Sequence, residues 1–171
     1  FLSNKFLSPV SSTAPIMYRY YILDTAMVDN VRCIKMFFEP RNPADFLFHG
    51  FLFITSDSSY AIKKIDMSFN KGINIDWVND VRIIQDFERI QNKGWLLTKD
   101  DVSVDFGISQ NILGMYGQKE VYYNNFSINE PIADTVFKGP DKITKLNEAT
   151  NLASYWESAR LSPLTSSEKA L

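Results

Sequence analysis

Apolar and polar residues alternate with a period of two through much of the chain up to Pro131, the period at which successive side chains of a strand leave opposite faces. From Ile16, the run Met17-Tyr18-Arg19-Tyr20-Tyr21-Ile22-Leu23 and the run Val31 to Phe38 are rich in aromatic and β-branched residues. A turn around Asp29-Asn30 separates them, which predicts a hairpin. Pro40 and Pro43 then fix φ and remove ladder donors, so a third strand is expected only over Phe46 to Thr55. Ser56 to Ser59 makes the next turn. In Tyr60 to Phe69, Ala61, Ile65, Met67 and Phe69 oppose Lys64, Asp66 and Ser68, as in a strand with one wet face. Lys63 breaks the alternation, and its stem is expected to snorkel. After an irregular stretch from Ile73 to Asp80, the segments Val81 to Ile90 and Trp95 to Ile108 flank the hairpin signal Gln91-Asn92-Lys93-Gly94. A seventh strand, Lys119 to Ile128, follows the loop Ser109 to Gly117.

About seven strands in hairpin order predict a mainly β fold with minor α. The expected form is a curved antiparallel meander sheet, or half-barrel, over residues 16–128. Beyond Pro140 the period changes. Leu152, Tyr155, Trp156 and Ala159 fall at helical spacings, Ser162-Pro163 stops the helix, and Thr165 with Glu168 has the spacing of a capping box. The whole chain is read as one domain with a helical C-terminal segment over residues 140–171. One short helix is too small to shield a seven-stranded sheet. The sheet is therefore expected to fold over itself or to dock against flanking domains, in either case exposing a substantial apolar patch.

Composition narrows the function classes. The 45% hydrophobic and 22% charged content is that of a globular domain. With 18 basic against 20 acidic residues, the formal charge of -2 supplies no field to concentrate phosphates, so nucleic acid is not an expected partner. The most apolar run, Phe46 to Ile54, is interrupted by His49 and Gly50 and is far shorter than the roughly 20 residues of a membrane helix. A start without Met or a signal-peptide pattern, and a capping box followed at once by the C-terminus, lead us to expect a piece of a larger protein.

The candidate chemistry is sparse. His49 is the single histidine, so a multi-histidine metal site is excluded within the chain and any Ser/His/Asp triad would have to use it. Its mid-strand setting favours a structural role. Asp100, Asp101 and Asp105 cluster in one strand, with Asp101 and Asp105 pointing the same way, which reads as a solvated face. Gly107, Gly114 and Gly117 do not match a phosphate-cradling loop. Cys33 is the single cysteine and reads as a small buried hydrophobe. No catalytic, cofactor-binding or metal residue is assigned. Tyr18, Tyr20, Phe37, Phe51 and Phe53 are the candidate lining of an apolar groove, the alternative for them being core packing.

Several stretches together resemble a group of uncharacterised Bacteroidetes outer-membrane proteins described as carboxypeptidase-like regulatory-domain-containing, with a domain of unknown function. They are Ser8-Pro9-Val10-Ser11-Ser12, Tyr18-Arg19-Tyr20-Tyr21, Phe38-Glu39-Pro40-Arg41, Tyr60-Ala61-Ile62-Lys63-Lys64-Ile65, Asn74-Ile75-Asp76-Trp77-Val78-Asn79-Asp80, Val104-Asp105-Phe106-Gly107, and Tyr155-Trp156-Glu157-Ser158-Ala159-Arg160 before Pro163-Leu164-Thr165. The resemblance implies a periplasmic middle region at the outer membrane, similar to lipoprotein-localisation factors, between a regulatory sandwich module and a membrane barrel. It brings no catalytic residues. The expected function is a non-catalytic interaction or scaffold domain whose partners are flanking domains of the parent chain or another envelope protein. A lipid- or lipoprotein-binding half-barrel is the alternative, and a hydrolase using His49 ranks below both.

Overall fold

The computed structural model describes residues 6–69, 78–107, 114–138 and 159–166. The chain divides into two compact units, Phe1–Phe126 and Ser127–Leu171.

The first unit opens with a one-turn helix, α1 (Ala14–Met17), which has a proline in its first turn and runs straight into strand β1 (Tyr18–Val28). The strands that follow are β2 (Val31–Pro40), β3 (Phe48–Thr55), β4 (Ile62–Phe69), β5 (Val78–Ile90), β6 (Gly94–Phe106) and β7 (Met115–Tyr122). They form one antiparallel sheet in the order β1-β2-β3-β4-β5-β6-β7, a meander, as the hairpin signals predict. The curl into a half-barrel is not there. The sheet is open and uncurled, with β1 and β7 as its two edges. Hairpin turns impose nearest-neighbour order, whereas closure also needs a matched strand tilt and stagger that no local turn supplies.

The turns explain the register. Asp29 and Asn30 both have positive φ, 46° and 63°, and Val28 pairs with Val31 across them. This is the two-residue turn whose twist matches that of the flanking strands. Between β3 and β4, the Asp57 carboxylate accepts hydrogen bonds from the Thr55 hydroxyl at 2.7 Å, the Ser59 hydroxyl at 2.5 Å and the Ser59 amide at 3.0 Å. These bonds hold the carboxyl below its ordinary pKa, the Ser59 hydroxyl contributing most. Gln91 and Asn92, with φ of 50° and 55°, turn β5 into β6, and Ile90 pairs with Gly94.

Period-two alternation across this register sorts the residues onto two faces. One row reads Tyr20, Phe38, Gly50, Met67, Ile83, Val102 across β1 to β6, and the row beside it reads Tyr21, Phe37, Phe51, Asp66, Ile84, Asp101. The first row belongs to the core face. Tyr18, Phe38, Leu47, Phe48, Leu52, Ile65 and Met67 are buried there with Ala14. At Gly50 the strands β3 and β4 approach so closely that a Cβ would strike the Asp66 carbonyl oxygen and lie 2.7 Å from Met67 Cα.

What covers this face is the segment before β1. Phe6 packs against the rings of Phe69, 4.9 Å away, and Phe48, 5.5 Å away, which themselves stack at 5.2 Å. The Tyr18 hydroxyl donates to the Leu7 carbonyl at 2.7 Å and accepts from the Phe48 amide, while the Tyr20 hydroxyl donates to the Pro9 carbonyl at 2.7 Å. Each phenol thereby finds the partner that a buried hydroxyl requires. The buried cluster lies over β1 to β4 and takes in Ile83 and Phe87 of β5 at its margin.

On the opposite face, cross-strand ion pairs take over toward β7. Lys64 pairs with Asp86 at 3.1 Å and Lys99 with Glu120 at 2.7 Å. The bond to Glu120 pushes the Lys99 ammonium's pKa up, and the bond to Lys99 pulls the Glu120 carboxyl down. Lys63 lies at a register shift between β3 and β4 and snorkels as expected: its side chain is 4% exposed, and its ammonium meets the Asp29 carboxylate, 69% exposed, at 3.0 Å.

In the second unit, Ser127 donates to Glu130 at 2.8 Å and a 3₁₀ turn spans Asp134–Phe137. The helix expected around Leu152 to Ala159 and the capping box at Thr165 and Glu168 fall largely outside the described residues.

Candidate functional site

The five aromatic residues proposed as one groove lie on two faces. Tyr18 and Tyr20 belong to the core face, where Tyr18 is fully buried and packs edge-on to Phe38 at 5.7 Å. Phe37 and Phe51 meet on the other face, 5.6 Å apart, with Tyr21 stacked on Phe37 at 6.2 Å. Phe53, two residues beyond Phe51, shares that second face. The separation follows from strand geometry, because Tyr20 pairs with Phe38 and Tyr21 with Phe37, and neighbours along a strand point opposite ways. A single groove containing all five is therefore not formed.

The described residues do line one shallow groove on the outer face, with a volume of about 310 Å³. Strands β2, β3, β4 and β5 bring to it Phe37, His49, Phe51, Asp66, Ser68, Asp80 and Arg82, with Gly50 and Met67 contributing to its wall. His49 is the cross-strand neighbour of Ser68, and Phe51 of Asp66. The Arg82 guanidinium grips Asp66 in a fork, Nε to Oδ1 at 2.9 Å and Nη2 to Oδ2 at 2.8 Å. That fork, followed by the charges of Asp66, Asp101 and Asp80, pushes the guanidinium's pKa up. Asp80 is exposed, and no hydrogen bond or ion pair engages it among the described residues. His49 Nδ1 is buried without a hydrogen-bond partner. Asp66 is committed to Arg82, and among the described residues no carboxylate is hydrogen-bonded to His49 in the way that orients a catalytic base.

The other singled-out residues have structural surroundings. Asp100 accepts from Gln85 at 3.0 Å, and Asp101 from Gln118 at 3.0 Å with the Lys99 ammonium 4.0 Å away. Asp105 faces Asp80 across β5 and β6. Cys33 is fully buried, and desolvation pushes its thiol up from the ordinary value, against the nearby Lys63 charge. A thiol so placed is a poor nucleophile. Asp66, Asp80 and Arg82 were not singled out from the sequence. The signal available there was the outward phase of Asp66 and Ser68, which tells the face but not which residues of β5 stand opposite.

The edges differ in chemistry. β7 carries Gln118, Lys119 and Glu120, polar residues that discourage further pairing. β1 has no proline over its 11 residues and exposes Ile22 (71%), Leu23 (55%) and Met27 (66%). No helix among the described residues is long and apolar enough to cross a membrane.

The model of a family of unknown function, DUF5686, matches residues 1–126, the same span as the first compact unit. No curated protein and no solved structure matches the chain.

Proposed function

We propose that this chain, which belongs to the DUF5686 family of unknown function, is a non-catalytic interaction or scaffold domain of a larger envelope protein. Its working place is the periplasmic face of the outer membrane, a location supported by the resemblance to Bacteroidetes envelope proteins of the carboxypeptidase-like regulatory-domain group. The observation that carries the reading is the edge of β1, which has no further strand beside it among the described residues and where Ile22, Leu23 and Met27 stand exposed. Such an edge is a template for strand addition or apolar docking. The occupant is a flanking domain of the parent chain, held beside the edge by covalent connection, which raises the effective concentration of even a weak contact.

The test is a photo-crosslinking amino acid placed at Ile22 in the full-length protein in its native cells, with the exposed Glu88 of β5 as the control position. Crosslinks from Ile22 to a flanking domain or a second envelope protein, absent from Glu88, are the expected result. Crosslinks from Ile22 to lipid alone would replace the reading with a lipid-binding one. The same crosslinks from both positions would remove the reading.

A further inference from the structure

We infer that the flanking domain meets the β1 edge by backbone pairing, through one short extended segment laid against Tyr20 and Ile22, and that Asp24 closes the rest of the edge to it. This rests on the edge reading proposed above and specifies its contact. The ladder fixes which backbone groups look outward. Val28 and Val31 flank the two-residue turn and so exchange both of their hydrogen bonds, after which bonded and non-bonded pairs alternate along an antiparallel ladder. Two bonds keep the same phase: the Met17 carbonyl accepts from the Arg41 amide of β2's exit at 2.8 Å, and the Arg32 carbonyl turns the other way, to the Ser56 amide at 3.0 Å. Tyr18, Tyr20, Ile22, Thr25 and Met27 therefore direct N–H and C=O away from β2, the register shift at Leu23 accounting for the step from Ile22 to Thr25.

Two of those five amides are already engaged. The Tyr18 amide donates to the Ala14 carbonyl at the end of α1, and the Thr25 amide donates to the Asp24 carboxylate at 2.7 Å. A strand arriving beyond Leu23 would have to pull that carboxylate off Thr25 and follow a bulged backbone, and a charge and a bulge are what discourage pairing at an edge. Met27 is left as a single rung on the far side of this block. Tyr20 and Ile22 differ. Each offers a donor and an acceptor from one residue, the two rungs stand about 6.8 Å apart, and no described residue outside the sheet bonds either amide. Another extended backbone carries donor and acceptor pairs at that repeat. A helix has spent its own inside itself, and an acyl chain has none. The window between the two engaged amides is two rungs long, which fits a short segment and not a full-length strand.

Substitutions at one position separate backbone pairing from apolar docking. A photo-crosslinking amino acid is placed at the exposed Leu23 in the full-length protein in its native cells, and the yield of crosslink to the flanking domain is compared in Ile22→Pro, Ile22→Thr and Met27→Pro. Proline keeps an apolar side chain but removes the amide, and an edge strand accepts it where the N–H faces outward. Threonine keeps the amide and the strand preference while placing a hydroxyl on the side chain. Ile22→Pro is expected to lower the yield about five-fold, the worth of one hydrogen bond. Ile22→Thr is expected to leave it nearly unchanged, and so is Met27→Pro, which also shows that an outward proline does not unfold β1. No crosslink from the unsubstituted protein would remove the edge reading and this inference with it. A crosslink that survives Ile22→Pro, or one lost in Ile22→Thr, would keep the edge reading and overturn backbone pairing in favour of apolar docking. Loss in Met27→Pro as large as in Ile22→Pro would overturn the confinement by Asp24.

Discussion

Two tyrosines separated by one residue do different work from the tyrosine beside them. Tyr18 and Tyr20 reach the core face and hold the N-terminal segment through Leu7 and Pro9, while Tyr21 stacks on Phe37 outside. Burial raises the pKa of both core-face phenols. A raised phenol pKa favours the protonated form in the folded state. Its stabilisation is whole below the unfolded value, near pH 10, and is lost as pH climbs through the folded values. Thermal melts are therefore expected to be insensitive to these groups up to about pH 10 and to fall above it. Tyr20→Phe should cost about 1 kcal/mol at neutral pH by losing the bond to Pro9, and should flatten part of the alkaline fall. A variant with an unchanged alkaline slope would show that the phenol is not the group responsible. At this scale the sequence told which residues are aromatic and that Lys63 breaks the alternation. It did not tell that Tyr18 and Tyr20 part company with Phe37, Phe51 and Phe53, because a face is assigned only once register is known.

The hairpins were the most legible elements, since their turn chemistry is local: Asp29-Asn30 needs positive φ twice, and Gln91-Asn92 does too. Strand ends shifted by a few residues where the signal was weak. β7 starts at Met115, inside the segment expected to be a loop, because Met115 and Tyr116 gain ladder partners in Phe106 and Asp105 that no local preference announces. Gly50 had looked like an interruption of an apolar run, and in the sheet it is what lets β3 pass close to β4. Gly50→Ala should therefore destabilise the domain by about 3 kcal/mol, through overpacking of backbone against backbone rather than through any helix or strand preference. A urea unfolding curve displaced by less than about 1 kcal/mol would mean that the two strands separate easily.

For the whole molecule, the mismatch between a large sheet and little helix was readable, and the covering element was not. The segment from Phe6 to Met17 has apolar residues but no period of 2 or 3.6, so nothing in it declares a partner before the sheet exists. Removing residues 1–13 should uncover the face around Phe48 and Phe69 and give a protein that binds a hydrophobic dye and self-associates. A truncated protein that stays monomeric and dye-free would show that the segment adds little cover. The groove on the outer face was likewise beyond the sequence, since it joins β2 to β5, and its polar wall depends on which residue of one strand stands opposite which residue of the next.

The nearest-neighbour order of the strands also decides how the domain bears load. Its first and last strands are the two edges of the sheet, so tension applied across those strands pulls on a single ladder at a time. A sheet threaded in this way yields by peeling, strand after strand at low force, where a sheet with its terminal strands side by side in the middle would resist shear as a unit.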